Sequence, residues 1–199
     1  MDAVRRAVDG DVPALSRVLA RAFIGDPVVE FLFPDASRRR QRLPAFFALQ
    51  LRAMYLPSGE VYTTVGRSGV AMWMASWAAP PDLVHRVRQL GLLAQFGRRA
   101  PAGRHLARAH ARCHPPVPHY YLGTVGTDPA CQHHGVASSL IWPVLARCDE
   151  LGVPAYLECS LEENVGFYAR FGFAVREQTG GSVGSPMLWL MQRDPVQAS

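Results

Sequence analysis

The segment Asp128-Pro129-Ala130-Cys131-Gln132-His133-His134-Gly135-Val136-Ala137-Ser138 constrains this chain more than any other, because it joins two stretches of different periodicity. Before it, residues 119–126 (HYYLGTVG) are rich in aromatic and β-branched residues and read as a strand. After it, residues 137–151 repeat apolar residues at helical spacing. A strand that feeds a helix through small residues leaves the first helical amides without partners and turns the positive end of the helix dipole outward. Gly135 and the small Ala137 let a ligand approach the main chain closely. The sequence therefore predicts an anion site, a phosphate cradle made by the backbone of Gln132, His133, His134, Gly135, Val136, Ala137 and Ser138.

A second constellation follows. Residues 154–160 (PAYLECS) read as another strand, and residues 162–173 (EENVGFYARFGF) as a helix closed by Gly172, which suits a left-handed cap. Asn164 and Tyr168 stand four residues apart, on one helical face, and can serve one site. Phe167, Phe171 and Phe173 read as core aromatics.

Gln132-x-x-Gly135-x-Ala137, together with Asn164, Phe167-Tyr168 and Gly172-Phe173 at their spacing, resembles the GCN5-related N-acetyltransferase (GNAT) superfamily. Asp11-Val12-Pro13, Ala20 to Phe23, Asp26-Pro27, Val70 to Trp73, Tyr121-Leu122-Gly123, Val153-Pro154-Ala155 and Leu188 to Met191 extend the likeness toward the group that includes puromycin N-acetyltransferase. The resemblance implies an α/β fold, with a mixed, mostly antiparallel central sheet flanked by helices on both faces. It implies acetyl-CoA as cosubstrate, with the pyrophosphate on residues 132–138, the acyl carbonyl near the backbone of Val125 and Thr127, and Asn164 on the pantetheine arm or a bound water. Gly123 or Gly126 is expected to mark a bulge that lets this arm enter between strands.

Acetyl transfer to an amine needs a neutral nucleophile, a polarised thioester carbonyl and a proton for the departing thiolate. By resemblance Tyr168 supplies that proton: a phenol of ordinary pKa near ~10 is protonated at neutral pH and hydrogen-bonds well to a thiolate of pKa near ~8.5. The base is less evident. Many members of the resembled family carry a glutamate on the strand before the cradle, but residues 119–125 contain no carboxylate. Glu158 acting through water, His119 acting directly, or an amine already neutral are the alternatives.

Composition narrows the remaining classes. At 199 residues and 49% hydrophobic, the chain can bury one substantial core, and residues 1–199 are expected to form one acetyltransferase domain. The longest apolar run, residues 70–79, is too short to span a bilayer, and the opening MDAVRR leads into no secretory apolar core, so a cytoplasmic protein with no membrane partner is expected. Cysteines 113, 131, 148 and 159 form no C-x-x-C pair and read as free thiols. All 21 basic residues behind the net charge of +5 are arginines, dispersed and without interleaved aromatics, which points away from a nucleic-acid partner. An arginine near the cradle could hold the 3′-phosphate of CoA. Cys131-x-His133-His134 and His110-x-x-Cys113-His114 lack the second ligand pair of a structural metal site, so no metal is expected. Cys131, although near a helix start, stands outside any charge-relay pattern that would favour a covalent route.

The remaining pattern gives a strand over residues 4–7, a helix capped by Asp11, a restart at Asp26-Pro27, a helix over 37–55, a hairpin of 59–65 and 69–77, and helices over 83–96 and 103–113. Phe23, Phe31, Phe33, Trp73, Met74 and Trp77 are candidates for an apolar acceptor pocket, although such residues belong more often to the core, and the few carboxylates nearby favour a compact amine over a polycation. The expected activity is direct transfer, in a ternary complex, to a small-molecule primary amine, by a monomer or homodimer. A protein or peptide N-acetyltransferase and a non-catalytic acyl-CoA sensor are the alternatives.

Overall fold

The computed structural model describes residues 2–78, 91–92, 94–180 and 185–196. The predicted helix over 83–96 falls largely outside them, as does the side chain of His110. Helix starts follow local chemistry. In α1 (Val12–Ala22), Val12, Leu15, Val18 and Leu19 recur at helical spacing and are buried. Helix α2 (Pro27–Leu32) begins where the Asp26 carboxylate accepts from the amides of Val28 and Val29, at 2.9 and 3.0 Å, with proline at the first position. Asp35 caps α3 (Ala36–Gln50) in the same way.

Asp11 departs from its expected role. Its side chain caps nothing in α1 but accepts two bonds from Arg5, at 2.7 and 2.9 Å, one from Arg67 at 2.6 Å and one from the amide of Val8 at 3.0 Å. Two guanidiniums outcompete helix amides for a buried carboxylate, and the Arg5 hydrogen bond above all holds the Asp11 carboxyl far below its usual range.

The strands are β1 (Val4–Arg6), β2 (Gly59–Thr64), β3 (Gly69–Ala75), β4 (Tyr120–Thr127), β5 (Ala155–Cys159), β6 (Ala174–Thr179) and β7 (Leu188–Arg193). They form one seven-stranded sheet in the order β1-β2-β3-β4-β5-β7-β6, antiparallel throughout except for β4 and β5. Alternation along the strands sends Val61, Val70 and Met72 toward α1 and α3. It sends Ala71, Trp73, Tyr120, Leu122, Ala155 and Leu157 toward α5 (Val136–Leu151) and Phe171 and Phe173. Helix α4 (Ala100–Cys113) and the short α6 (Val165–Ala169) are further helices among the described residues. This is the α/β sheet with helices on both faces that the sequence led us to expect. Gly172, at φ +88°, ends the turn after α6 in the left-handed region. The four cysteines are free thiols, and among the described residues no helix is long and apolar enough to cross a membrane.

The α5 end of the sheet is tied by a fork. Arg193 of β7 donates Nη1 and Nη2 to the Asp149 carboxylate at 2.7 and 2.8 Å, and Nε to the Phe171 carbonyl at 2.8 Å. Arg193 is buried, so removing its partner strands a charge in the protein. Asp149→Asn should lower stability by about 3 kcal/mol in urea denaturation. The Arg193 bond holds the Asp149 carboxyl below its ordinary value. That stabilisation is complete at neutral pH and is lost as pH falls below about 4, and the variant should lack this part of the acid sensitivity.

Candidate active site

A register fault in β4 creates the site. Met72 pairs with Thr124 but Trp73 pairs with Leu122, leaving Gly123 as an extra, bulged residue. The bulge reverses which edge of β4 each amide faces. The amide of Tyr120 points to the β5 side, donating to Pro154, whereas that of Asp128 points to the β3 side, donating to Ser68. Counting back from Asp128, alternation turns the amides of Val125 and Thr127 toward β5. There they meet no strand, because β4 and β5 pair only at Tyr120, Tyr121 and Leu122 before they diverge.

The divergence opens a cleft of about 800 Å³ lined by residues 122–127 of β4 and 157–161 from β5 onward. Gly126 sets its rim: a Cβ there would stand 2.9 to 3.1 Å from the Leu19 and Phe23 side chains, so the missing side chain eases the close seating of α1 on β4. Phe23, Gly25 and Asp26 are thereby carried onto the cleft wall. Across the gap, the Ser160 hydroxyl donates to the Asp26 carboxylate.

The cradle closes one end. His133 (φ +64°) and Gly135 (φ +78°) are both left-handed, and Gly135 caps α5 without any side-chain bond. The amides of Gln132 to Ser138 donate to no described residue. The first bond of α5 is that of Ser139 to the Gly135 carbonyl, at 3.0 Å. Gln132, His133, Gly135, Val136, Ala137 and Ser138 all line the cleft. His134 departs from this set: its Nδ1–H donates to the Gln132 carbonyl at 2.6 Å, and its ring lines a separate recess with Asp2, Thr64 and Ser68. Arg170, with its guanidinium 5.1 Å over the Phe167 ring, is the arginine on the cleft wall, a choice that sequence reasoning had left open.

Asn164 and Tyr168 reach the cleft together, Asn164 from the 3-10 turn Glu162–Asn164 and Tyr168 from α6. Tyr168 packs edge-on against Phe167 and Phe173, and its hydroxyl bonds to no described residue. Burial above all, with smaller contributions from the neighbouring Cys159 and Asp26, pushes its phenol well above the ordinary range and keeps it protonated. Glu158 lines the cleft where the strands part and accepts from Tyr121 at 3.4 Å and from Tyr156 at 3.2 Å. Sequence reading missed these two tyrosines. The signal was available, since Tyr156 and Glu158 are two residues apart in a strand and must share a face.

His119 is not at the cleft. It is buried, its Nδ1–H donating to Val117 at 2.7 Å and its Nε2 bonded to His114 at 2.9 Å, so both ring nitrogens are already engaged. Of the apolar acceptor candidates only Phe23 lines the cleft. Trp73 is fully buried on the α5 face, Phe33 packs against Phe46 and Phe96, Phe31 lies under Arg99, Met74 joins the α1 and α3 core, and Trp77 rests on Tyr120.

Residues 86–173 match the model of the acetyltransferase (GNAT) family. The whole fold is similar to a Corynebacterium glutamicum protein described as histone acetyltransferase HPA2 and related acetyltransferase, with 28% identity and a TM-score of 0.75 over 100% of this chain and 99% of that one. An N-acetyltransferase from Staphylococcus aureus Mu50 shares the fold at 16% identity and TM-score 0.60, covering 96% and 99% of the two chains. The ribosomal-protein-S18-alanine N-acetyltransferase from Escherichia coli does so at 15% identity and TM-score 0.54, covering 100% and 97%.

Thr127 carries the clearest sign of an unmet partner, a buried hydroxyl oxygen on the cleft wall without a hydrogen bond. Thr127→Val removes that group at constant shape and should leave stability unchanged or raise it by up to about 1 kcal/mol in urea denaturation. A loss of stability would show that the hydroxyl is satisfied in the ligand-free protein.

Proposed function

We propose that this chain, which its family match and fold support as a GNAT acetyltransferase, moves the acetyl group of acetyl-CoA to the primary amine of a small molecule, with both substrates bound together. The observation that carries this reading is the run of amides from Gln132 to Ser138 that donate to no described residue, beside a gap that Tyr168 also lines. The residues present fit acetyl-CoA. The cradle offers donors to a diphosphate, Arg170 offers a fork to a further phosphate, and the amides of Val125 and Thr127, Asn164 and the orphaned Thr127 hydroxyl offer partners to a polar arm laid along β4.

Bound acetyl-CoA supplies an activated acetyl thioester, and transfer leaves an amide and a free thiol. The chain's own groups handle the protons. Tyr168, held neutral by burial, donates its hydroxyl hydrogen to the departing sulfur. Glu158, kept in place by the Tyr121 and Tyr156 hydroxyls, stands across the same cleft and takes the proton that the amine nitrogen must lose, directly or through water. An amide aimed from the unpaired edge of β4 polarises the acyl carbonyl, and being fixed by the strand it needs no reorganisation. Cys131 also lines the cleft, on the cradle side, but no described residue hydrogen-bonds its thiol as an activating base would, and transfer goes directly from thioester to amine.

A small acceptor matches the likeness to the puromycin N-acetyltransferase group in the sequence. The names of the Corynebacterium and Escherichia relatives argue that peptide N termini and lysyl side chains belong in the same amine panel. Acetyl-CoA at about 100 times its dissociation constant should add roughly 2.7 kcal/mol to stability. Tyr168→Phe should keep that gain while slowing amine-dependent CoA release about 10²-fold. Tight binding of acetyl-CoA with no release of CoA by any amine would favour the sensor over the enzyme.

A further inference from the structure

Two histidines of the segment between α4 and β4 have no part in the site as described so far. His114 caps the C-terminal end of α4, and His119 immediately precedes β4. His119 is anchored to Ser76, just past β3: its amide donates to the Ser76 hydroxyl at 3.0 Å, and its carbonyl accepts from the Ser76 amide at 2.9 Å. Its Nδ1 meets the Val117 carbonyl at 2.7 Å. A carbonyl only accepts, so the ring hydrogen is on Nδ1 and neutral His119 offers a bare Nε2. His114 Nδ1, 2.9 Å from that nitrogen, is then the donor. The bond orients the His114 ring.

That ring packs on both tyrosines that hold Glu158. Its centroid lies 4.6 Å from the Tyr121 ring and 5.0 Å from the Tyr156 ring, while His119 meets Tyr156 edge-on at 6.1 Å. Tyr121 and Tyr156 are register partners on β4 and β5, with rings 6.0 Å apart, so one imidazole can touch the pair. Their hydroxyls reach Glu158 at 3.4 and 3.2 Å, longer than is usual for a bond to a carboxylate, and such bonds are too weak to fix the rings that carry them. The rings must be held by what packs on them. Leu188 and Leu190 of β7 belong to the same cluster, but apolar contact has no preferred direction. The His114 ring does have one, because it is tied through His119 to Ser76. A series of contacts therefore runs from Ser76 through the two histidines and the two tyrosines to Glu158 on the cleft wall.

We infer that His114 and His119 are positioning residues for acetyl transfer: their hydrogen-bonded pair sets the Tyr121 and Tyr156 rings and, through the two hydroxyls, the direction of the Glu158 carboxylate. Neither histidine lines the cleft. This rests on the reading of Glu158 as the group that takes the amine proton, and adds to it the device that aims that group. A misaimed base costs turnover while leaving cofactor affinity intact.

The test is a double-mutant cycle on amine-dependent CoA release, with wild type, His114→Ala, Glu158→Gln and the double variant, beside acetyl-CoA binding by calorimetry and thermal melting. His114→Ala should lower kcat about tenfold, with the amine KM and the acetyl-CoA dissociation constant changed less than about threefold. Glu158→Gln should lower kcat about 10²-fold, and adding His114→Ala to it should cost less than about twofold more, because the histidine then has no base to place. A histidine that serves only the fold would slow both backgrounds equally, and equal losses overturn the inference while acetyl transfer and its base stand. An unchanged kcat in folded His114→Ala does the same. Were His114→Ala not to fold, His114→Phe keeps the ring volume, loses the bond to His119 and goes through the same cycle, with a loss expected only while Glu158 is present. Full turnover in Glu158→Gln removes the base and this inference with it, and leaves transfer to an amine already neutral. A wild-type protein that binds acetyl-CoA but acetylates no amine overturns both readings.

Discussion

The site depends on one extra residue in β4. Without the bulge at Gly123, alternation from Tyr120 would turn even-numbered amides toward β5, and β4 could continue its parallel ladder with β5. With it, the amides of Val125 and Thr127 face the gap, and the strands part after three register pairs. The bulge is in turn supported from outside the sheet: the Tyr55 hydroxyl occupies the space a side chain at position 123 would need, so glycine is required there for contact as well as for backbone geometry. The cleft is thus a consequence of strand register, and the side chains around it act on a geometry that the main chain has already set.

A gap in a sheet leaves polar groups unpaired, and the chain tolerates several at once. The amides of residues 132–138, the Thr127 hydroxyl and the Tyr55 hydroxyl all lack described partners. Each such group, where shielded from water, costs about 1–3 kcal/mol. Offsetting terms lie elsewhere in strongly bonded pairs: Arg193 with Asp149 on the cradle helix, and Asp11 with Arg5 and Arg67 at the β1 edge. Sites of this kind are stabilised by their ligand, because binding supplies the partners that folding leaves out.

How much of this was legible in the sequence follows from which interactions are local. The cradle, α5 and the Asn164 to Gly172 turn were legible because helix starts, glycine caps and four-residue spacing are set by near neighbours. The bulge was anticipated at Gly123 or Gly126, and the structure divides the two roles, with Gly123 bulged and Gly126 allowing α1 to approach. What failed was long-range. Asp11 looked like a cap until Arg67, 56 residues away, claimed its carboxylate. Trp73 and Phe33 could be read as core or as pocket wall, and they prove to be core, because apolar residues carry no mark of which sheet face will be open. His119 looked available because nothing local announces its bond to His114.

The same distinction explains how the cleft keeps its width. Only three pairs join β4 to β5, so the two halves of the sheet could hinge there. Asp26 opposes that motion with a single carboxylate. One oxygen caps α2 through the amides of Val28 and Val29, while the other receives the Ser160 hydroxyl from the far side of the gap. Because α1 is seated on β4 at Gly126, a residue that starts a helix also spans the opening between two strands. Closing the gap would press Ser160 against a carboxylate fixed by its cap, and opening it would break a charge-assisted bond within a largely enclosed wall. Asp26 therefore helps set the spacing of the cleft that Tyr168 and Glu158 both line. It also adds, after burial and Cys159, to the effects that raise the Tyr168 phenol and keep that hydroxyl a donor. Cleft width and proton placement are thus tied to one side chain.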